Sequence, residues 1–275
     1  MIYIFQYMIE YRLDQSARNC NFEVTVVVAV KNGADTLEAC LLSILNQEGV
    51  KVGIIVVDGG STDGTLQIVE RYRPSLSAVL NDSNLGVYDA WNRALEFCQS
   101  PWIAFLGCDD RYSDILAISK LLDAIHESPD RPIFAYSKVS YRDSADTELA
   151  VVGQPWQVAR AEFEYRMSVH HGGALHSREL FQTGGFDTTF RIVADYEFLF
   201  RQRERLSAVF VSEALVHART GGISTRPDLA ILQKREMKRV LQKHKGTIFA
   251  NLFWYLGMTA TLASLALDHL RKLIR

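Results

Sequence analysis

Five carboxylates stand where this chain leaves an apolar run or enters a helix. Asp58 closes "VGIIVVD", Asp109 and Asp110 close "WIAFLGCDD", Asp89 lies in "VYDAWNRAL", and Asp195 lies in "IVADYEF". A carboxylate can accept hydrogen bonds from a ring N–H or a hydroxyl. It can share Mg²⁺ or Mn²⁺ through oxygen, or take a proton from an attacking hydroxyl. Each residue also has an ordinary reading. Asp58 and the Asp109–Asp110 pair can form turns, and Asp195 can be a first-turn helix residue favoured by the dipole. Asn32 follows the first apolar run, after Lys31, and serves either as a ligand contact or as a helix cap. Ser61 and Asp63 are expected to cap the next helix. His217 precedes "ARTGGIST" and is either structural or a ligand.

Alternating elements must position these groups. "VTVVVAV" (24–30), "VGIIVV" (52–57), "LSAVL" (76–80) and "WIAFL" (102–106) read as strands. Between them, Leu37, Cys40, Leu41, Ile44 and Leu45 mark one helix face. Further helices are expected from about Asp63 to Arg73, over the face Val87–Ala90–Trp91–Ala94–Leu95, and over 113–126. Asp89, Asn92, Arg93 and Glu96 occupy the opposite face of the third helix, which is either solvated or borders a ligand. Continuous apolar strands imply burial on both sheet faces, hence an α/β domain with a mostly parallel sheet. Ligands bind at the carboxyl ends of such strands, where Lys31–Asn32, Asp58 and Asp109–Asp110 all fall. Successive residues of an extended chain face opposite sides. Asp109 and Asp110 can therefore clasp one ion only if the backbone turns. The second half is less regular: strand over 132–143, a short helix between two Gly pairs in 170–186, helix over 194–204, then strand and loop over 208–225.

The chain has 275 residues and a formal net charge of -2, so no global basic character points to nucleic acid. Residues 226–275 carry a local net of +7 and the remainder -9. A basic tail on an acidic body suits an anionic surface. Pro227 opens a basic helix running to about Lys245. From Ile248 to Leu267, 20 residues carry no charge and are flanked by basic residues. That stretch is a packed helical hairpin, an interfacial helix or a span. Four cysteines without C-x-x-C spacing, and the short apolar "MIYIFQYMIE" with no basic n-region, suit a reduced, cytosolic protein. The expected organisation is an extension over 1–21, an α/β domain over 22–225 and a helical segment over 226–275.

"VVVAVKNGADTLEACLLSILNQ", "IIVVDGGSTDGTLQIVERY", "SNLGVYDAWNRALEF", "GGFDTTFRIVADYEFLFR" and "GGIST" occur in that order. Together with "FLGCDD" they resemble a family 2 glycosyltransferase of the GT-A fold, from about residue 22 to 225. The resemblance implies a Rossmann-like sheet flanked by helices. It also implies inverting transfer of a sugar from a UDP- or GDP-sugar to an acceptor hydroxyl, helped by Mg²⁺ or Mn²⁺. On it, Asn32, Asp58 and Asp89 bind the nucleotide, and Asn92 and Arg93 border the donor. The family has an aromatic residue where Lys31 stands. Its Asp-x-Asp-like metal motif here has Gly107 in the first position, leaving Asp109 as the direct ligand and Asp110 to contact sugar or metal. His217 or Arg219 would reach the metal or diphosphate. Asp195 is the catalytic base, with Ala194 where a first acid often stands and Glu197 as a weaker candidate. His171 packs or meets the acceptor.

The expected activity is therefore glycosyl transfer to a saccharide or lipid-linked acceptor in polysaccharide or glycolipid assembly. It would take place in the cytoplasm, at the inner membrane face if 246–275 contacts lipid. A sugar nucleotidyltransferase is the rival enzyme, although "KNGAD" is a poor match to its glycine- and arginine-rich loop. A non-catalytic binding protein on the same fold is the other alternative.

Overall fold

The computed structural model describes residues 21–83, 86–222, 226–251 and 254. The expected extension over 1–21 and most of the uncharged 248–267 stretch lie outside the described residues. The chain divides after Gly222 into two compact units.

In the first unit, β1 (Val24–Val30), α1 (Leu37–Leu45), β2 (Val52–Asp58), α2 (Thr65–Tyr72), β3 (Ala78–Asn81), α3 (Val87–Leu95) and β4 (Trp102–Gly107) alternate. The valine and isoleucine runs of β1, β2 and β4 are buried almost throughout, as β-branched strands covered on both faces should be. All three pairings among β1 to β4 are parallel. Their register sets Asp58 opposite Val30 and Gly107 opposite Ala29. The ends of β2, β1 and β4 are thus level.

The remaining strands are β5 (Arg111–Tyr112), β6 (Phe134–Arg142), β7 (Glu148–Val152), β8 (Leu175–Ser177) and β9 (Ala208–Arg219). The helices α4 (Ala117–Glu127), α5 (Trp156–Phe163) and α6 (Ala194–Phe200) lie between them. The sheet order is β3-β2-β1-β4-β8-β6-β9-β5, with β7 on β6. Here the expected parallel sheet becomes mixed. β6 and β9 are parallel, but β4–β8, β5–β9, β6–β7 and β6–β8 are antiparallel. The two-residue β5 begins directly after Asp110 and pairs Arg111 with His217. That pairing carries the end of β9 to the Asp109–Asp110 turn.

In the second unit a 3₁₀ turn (Pro227–Leu229) leads into α7 (Ala230–Lys245), whose last turn holds Lys243, His244 and Lys245. Among the described residues, no helix is long and apolar enough to cross a membrane.

Candidate active site

Asp58 is 2% exposed at the end of β2. Its Oδ2 accepts the backbone N–H groups of Gly60 and Ser61, both at 2.9 Å. Its Oδ1 is buried with no hydrogen-bond partner among the described residues. An unmade bond of this kind costs about 1–3 kcal/mol, and a ligand N–H or O–H would relieve it.

The loop after β1 is clasped by side chains from the loop after β2. Ser61 Oγ, Thr65 Oγ1 and Asp63 Oδ2 accept the consecutive N–H groups of Asn32, Gly33 and Ala34 at 2.8, 2.9 and 3.1 Å. In return, Thr62 N–H donates to Asn32 Oδ1 at 2.8 Å. Asn32 itself adopts φ 53°, a left-handed conformation that asparagine tolerates. Its oxygen therefore braces the loop, and it caps no helix. Ser61 also serves this clasp in place of the expected cap, while Asp63 Oδ1 does accept Thr65 N–H at the start of α2.

Asp109 and Asp110 meet over Gly107. The Gly107 carbonyl accepts Asp110 N–H at 3.0 Å, closing a turn. A Cβ at Gly107 would lie 2.8 Å from both Asp109 Oδ1 and Asp110 Oδ2. The two oxygens are therefore no more than about twice that distance apart. The alternation expected of an extended chain fails because the backbone turns, and both acids face one gap. Two more glycines keep the surroundings open. A Cβ at Gly172 would stand 3.6 Å from Asp110 Oδ2, and one at Gly222 3.6 Å from Asp109 Oδ2. Arg219 N–H holds Asp110 Oδ1 at 2.9 Å. Burial raises both carboxyls above the usual range. Asp110, which also feels the charge of Asp109, is pushed to about 7.

His217 lines a cavity of about 100 Å³ together with Asp109, Asp110, Arg111, Arg142 and Arg219. Burial, then Arg142 and Arg111, lower its pKa, and Asp146 and Glu148 oppose them. Arg111 and Arg142 are themselves paired with Asp146 and Glu148. Among the described residues, no group of three or more His, Cys, Asp or Glu side chains could hold a metal ion.

Asp195 opens α6, half-buried. Its Oδ1 accepts Tyr196 N–H at 2.8 Å and lies 3.0 Å from the Tyr88 hydroxyl of α3. Burial raises this carboxyl to about 6, a value suited to a base near neutral pH. Asp195 connects to the strand edge through rings. Tyr88 packs edge-on against Trp91 (5.4 Å), and Trp91 stacks on His171 (5.3 Å), the neighbour of Gly172. His171 is 5% exposed with both ring nitrogens unpartnered among the described residues, and burial holds it well below its usual pKa. Its neutral ring packs against Trp91 and Phe105.

The other helical candidates separate. Asp89 is half-buried in the first turn of α3. Asn92 spends both ends of its amide on the Phe186 backbone, donating at 2.8 Å and accepting at 2.7 Å. It ties α3 to the Gly-Gly-Phe-Asp turn. Arg93 pairs with Glu96 at 2.5 Å on the surface. Glu197 is fully buried and paired with Arg201 at 3.2 Å, which removes it as a base. The Arg201 guanidinium also donates to the carbonyls of Gly184 and Gly185. Sequence reasoning missed Tyr88. Its only signal was its place on the face of α3 shared with Trp91.

The family model for glycosyl transferase family 2 matches residues 25–186. The chain belongs to that family. It is a glycosyltransferase, which sets aside the nucleotidyltransferase alternative. A PGL/p-HBAD biosynthesis glycosyltransferase of Mycobacterium bovis is 32% identical over 183 residues, covering 64% of this chain and 68% of the relative. Among solved structures, S. aureus TarS 1–349 in complex with UDP matches with a TM-score of 0.62 at 17% identity, covering 84% of this chain and 69% of that one. A mannosyltransferase from Pyrobaculum calidifontis in complex with GDP-Man and Mn²⁺ matches with a TM-score of 0.63 at 19% identity, covering 90% and 76%. The fold of this family 2 member is thus GT-A.

Proposed function

We propose that the chain moves a sugar from a UDP- or GDP-sugar to an acceptor hydroxyl by single displacement, with inversion. One observation carries this reading: the paired carboxylates over Gly107 stand two strands from the bare oxygen of Asp58. At the usual strand spacing that is ~10 Å along one sheet edge. A nucleoside diphosphate can lie along that edge, its base or ribose on Asp58 and its phosphates toward Asp109 and Asp110. The structural neighbours that hold UDP or GDP-Man with Mn²⁺ support the same class of donor.

Asp109 and Asp110 fit a divalent cation. Each turns an oxygen into one open gap, and Mg²⁺ or Mn²⁺ accepts one or two carboxylates plus donor oxygens. When bound, the ion neutralises charge on the leaving diphosphate. The residues themselves divide the work. Asp58 Oδ1 accepts from the nucleoside. The clasp of Ser61, Asp63 and Thr65 on residues 32–34 holds the loop beside it. Asp89 borders the donor from α3. Asp195 takes the acceptor proton. Asn32, Asn92 and Arg93 act through the scaffold rather than on the donor, and His217 shares the cavity of Asp109 and Asp110.

The acceptor in this reading is a saccharide or a lipid-linked one; the mycobacterial relative is named for PGL/p-HBAD biosynthesis. The catalytic part is residues 22–225. The basic appendage, 226–275, meets the inner face of the membrane peripherally through 246–275. A thermal-shift screen of nucleotide sugars with Mn²⁺ or Mg²⁺, followed by assay of nucleoside diphosphate release on adding acceptors, tests this. Binding of one donor class and acceptor-dependent release are expected. Stabilisation by no nucleotide sugar would overturn the reading.

A further inference from the structure

Two hydrogen bonds to the Asp195 side chain end on the same oxygen. Oδ1 meets Tyr196 N–H and the Tyr88 hydroxyl. Tyr88 Oη also lies 2.6 Å from the Ile192 carbonyl oxygen. A phenol has one proton, and a carbonyl oxygen only accepts. Tyr88 therefore stands between two acceptors and must divide its proton between them. Its ring cannot drift, being 6% exposed and packed against Trp91 and Phe186 at 5.4 and 5.7 Å. The other hydroxyl near the helix start, that of Tyr196, is turned away to the Phe163 carbonyl at 2.9 Å.

We propose that Tyr88 is a positioning residue for proton transfer. It fixes Asp195 through Oδ1, presents Oδ2 to the acceptor hydroxyl, and turns its O–H from Asp195 to the Ile192 carbonyl and back as the carboxylate loses or gains charge. This rests on Asp195 being the base. While Asp195 is ionised, Oδ1 draws the Tyr88 proton, since bonds to a charged group are the stronger ones. During transfer the acceptor O–H bond breaks and an Oδ2–H bond forms. The electron pair left on the acceptor oxygen makes the new bond to the anomeric carbon, and the carbon–oxygen bond to the diphosphate breaks. Asp195 is then neutral, and the Tyr88 hydroxyl, which keeps its proton, donates to the Ile192 carbonyl. The carbonyl keeps the buried hydroxyl satisfied in that state. Burial raises the Asp195 carboxyl, and Tyr196 N–H, the Tyr88 hydroxyl and its own backbone N–H oppose it.

Tyr88→Phe tests the proposal, since it keeps the ring and deletes the proton. The expected result is a fall in kcat of ~10-fold with donor KM unchanged. The acid limb of the kcat/KM profile should rise by ~0.5–1 pH unit, because a donor to the charged form has gone. Replacing Tyr88 by 3-fluorotyrosine, a more acidic phenol, should move that limb the other way and keeps the test open if Tyr88→Phe folds poorly. An unmoved acid limb in both variants, or a uniform loss with raised donor KM, would overturn the proposal. Asp195→Asn is measured in parallel. If it turns over normally, the base reading itself fails. If it is inactive while Tyr88→Phe matches wild type, only the role of Tyr88 falls.

Discussion

Gly107→Ala puts a methyl group into the gap that two carboxylates share. The new carbon would lie 2.8 Å from Asp109 Oδ1, 2.8 Å from Asp110 Oδ2 and 3.3 Å from Asp110 Cγ. Carbon–oxygen contacts are comfortable from about 3.3 Å, so each oxygen must retreat by ~0.5 Å. The two are not equally free. Asp110 is tied through Oδ1 to Arg219 N–H at 2.9 Å, whereas the Oδ2 of Asp109 faces the open side of Gly222. Asp109 should therefore swing away and the pair should part. Overpacking costs about 1–3 kcal/mol in a tight core, and half-buried carboxylates at a turn place this change at the low end, ~1 kcal/mol. The functional cost is larger, because misplacement near 1 Å costs up to ~100-fold. The assay is kcat/KM for the donor across a series of Mn²⁺ or Mg²⁺ concentrations, with Tm measured on the same protein. A loss of ~10–100-fold, a higher metal concentration at half-maximal rate and a Tm lowered by ~2–4 °C are expected. Wild-type kcat/KM with wild-type metal dependence would refute the shared gap as the place where phosphate and metal are managed.

Transfer should fade as pH drops through about 6, because burial lifts the Asp195 carboxyl from 3.8 to about 6 and the base is lost when it takes a proton. Stability runs the other way. The folded state binds that proton more tightly than the unfolded chain, so the stabilisation is complete below pH 3.8 and is lost as pH rises through about 6. Asp195→Asn should then raise Tm at pH 8 by ~5 °C, equivalent to ~2 kcal/mol, and change it little at pH 4; equal shifts at both pH values would contradict the burial argument. Gly185→Ala would bring a Cβ to 2.1 Å from Asn92 Oδ1 and break the Asn92–Phe186 pairing, at a cost of ~2–4 kcal/mol in denaturant titration; an unchanged midpoint would show that the tie is dispensable. Removing 246–275 should release the protein from anionic liposomes in co-sedimentation and leave donor turnover in solution intact; unchanged liposome binding would reject that segment as the membrane contact.

The first half of the fold was legible because each element declared itself locally. Apolar runs in β1, β2 and β4 and the 3.6-residue spacing of α1 and α3 need no distant partner to be read. The second half was harder. β5 has two residues and exists only because β9 pairs with it, and β8 has three between two neighbours. No periodicity develops over such lengths. The same division applies to the site. Asp58 could be placed from the strand it ends. Asn92 could not be assigned, since its partner Phe186 is 94 residues away, and neither could the Tyr88–Asp195 contact across 107. Whether Asp109 and Asp110 could share an ion hung on a backbone turn that pleat alternation cannot foretell, and the hydrogen bond from Asp110 N–H to the Gly107 carbonyl supplies that turn.

The most direct test is donor binding and sugar transfer by Asp195→Asn, measured side by side on protein of verified fold. Calorimetry with the nucleotide-sugar donor should give wild-type affinity, since Asp58, Asp109 and Asp110 are untouched, while transfer falls by at least ~100-fold at pH 7.5. Turnover near the wild-type rate, or loss of donor binding in step with activity, would contradict the assignment of Asp195 as the base that activates the acceptor.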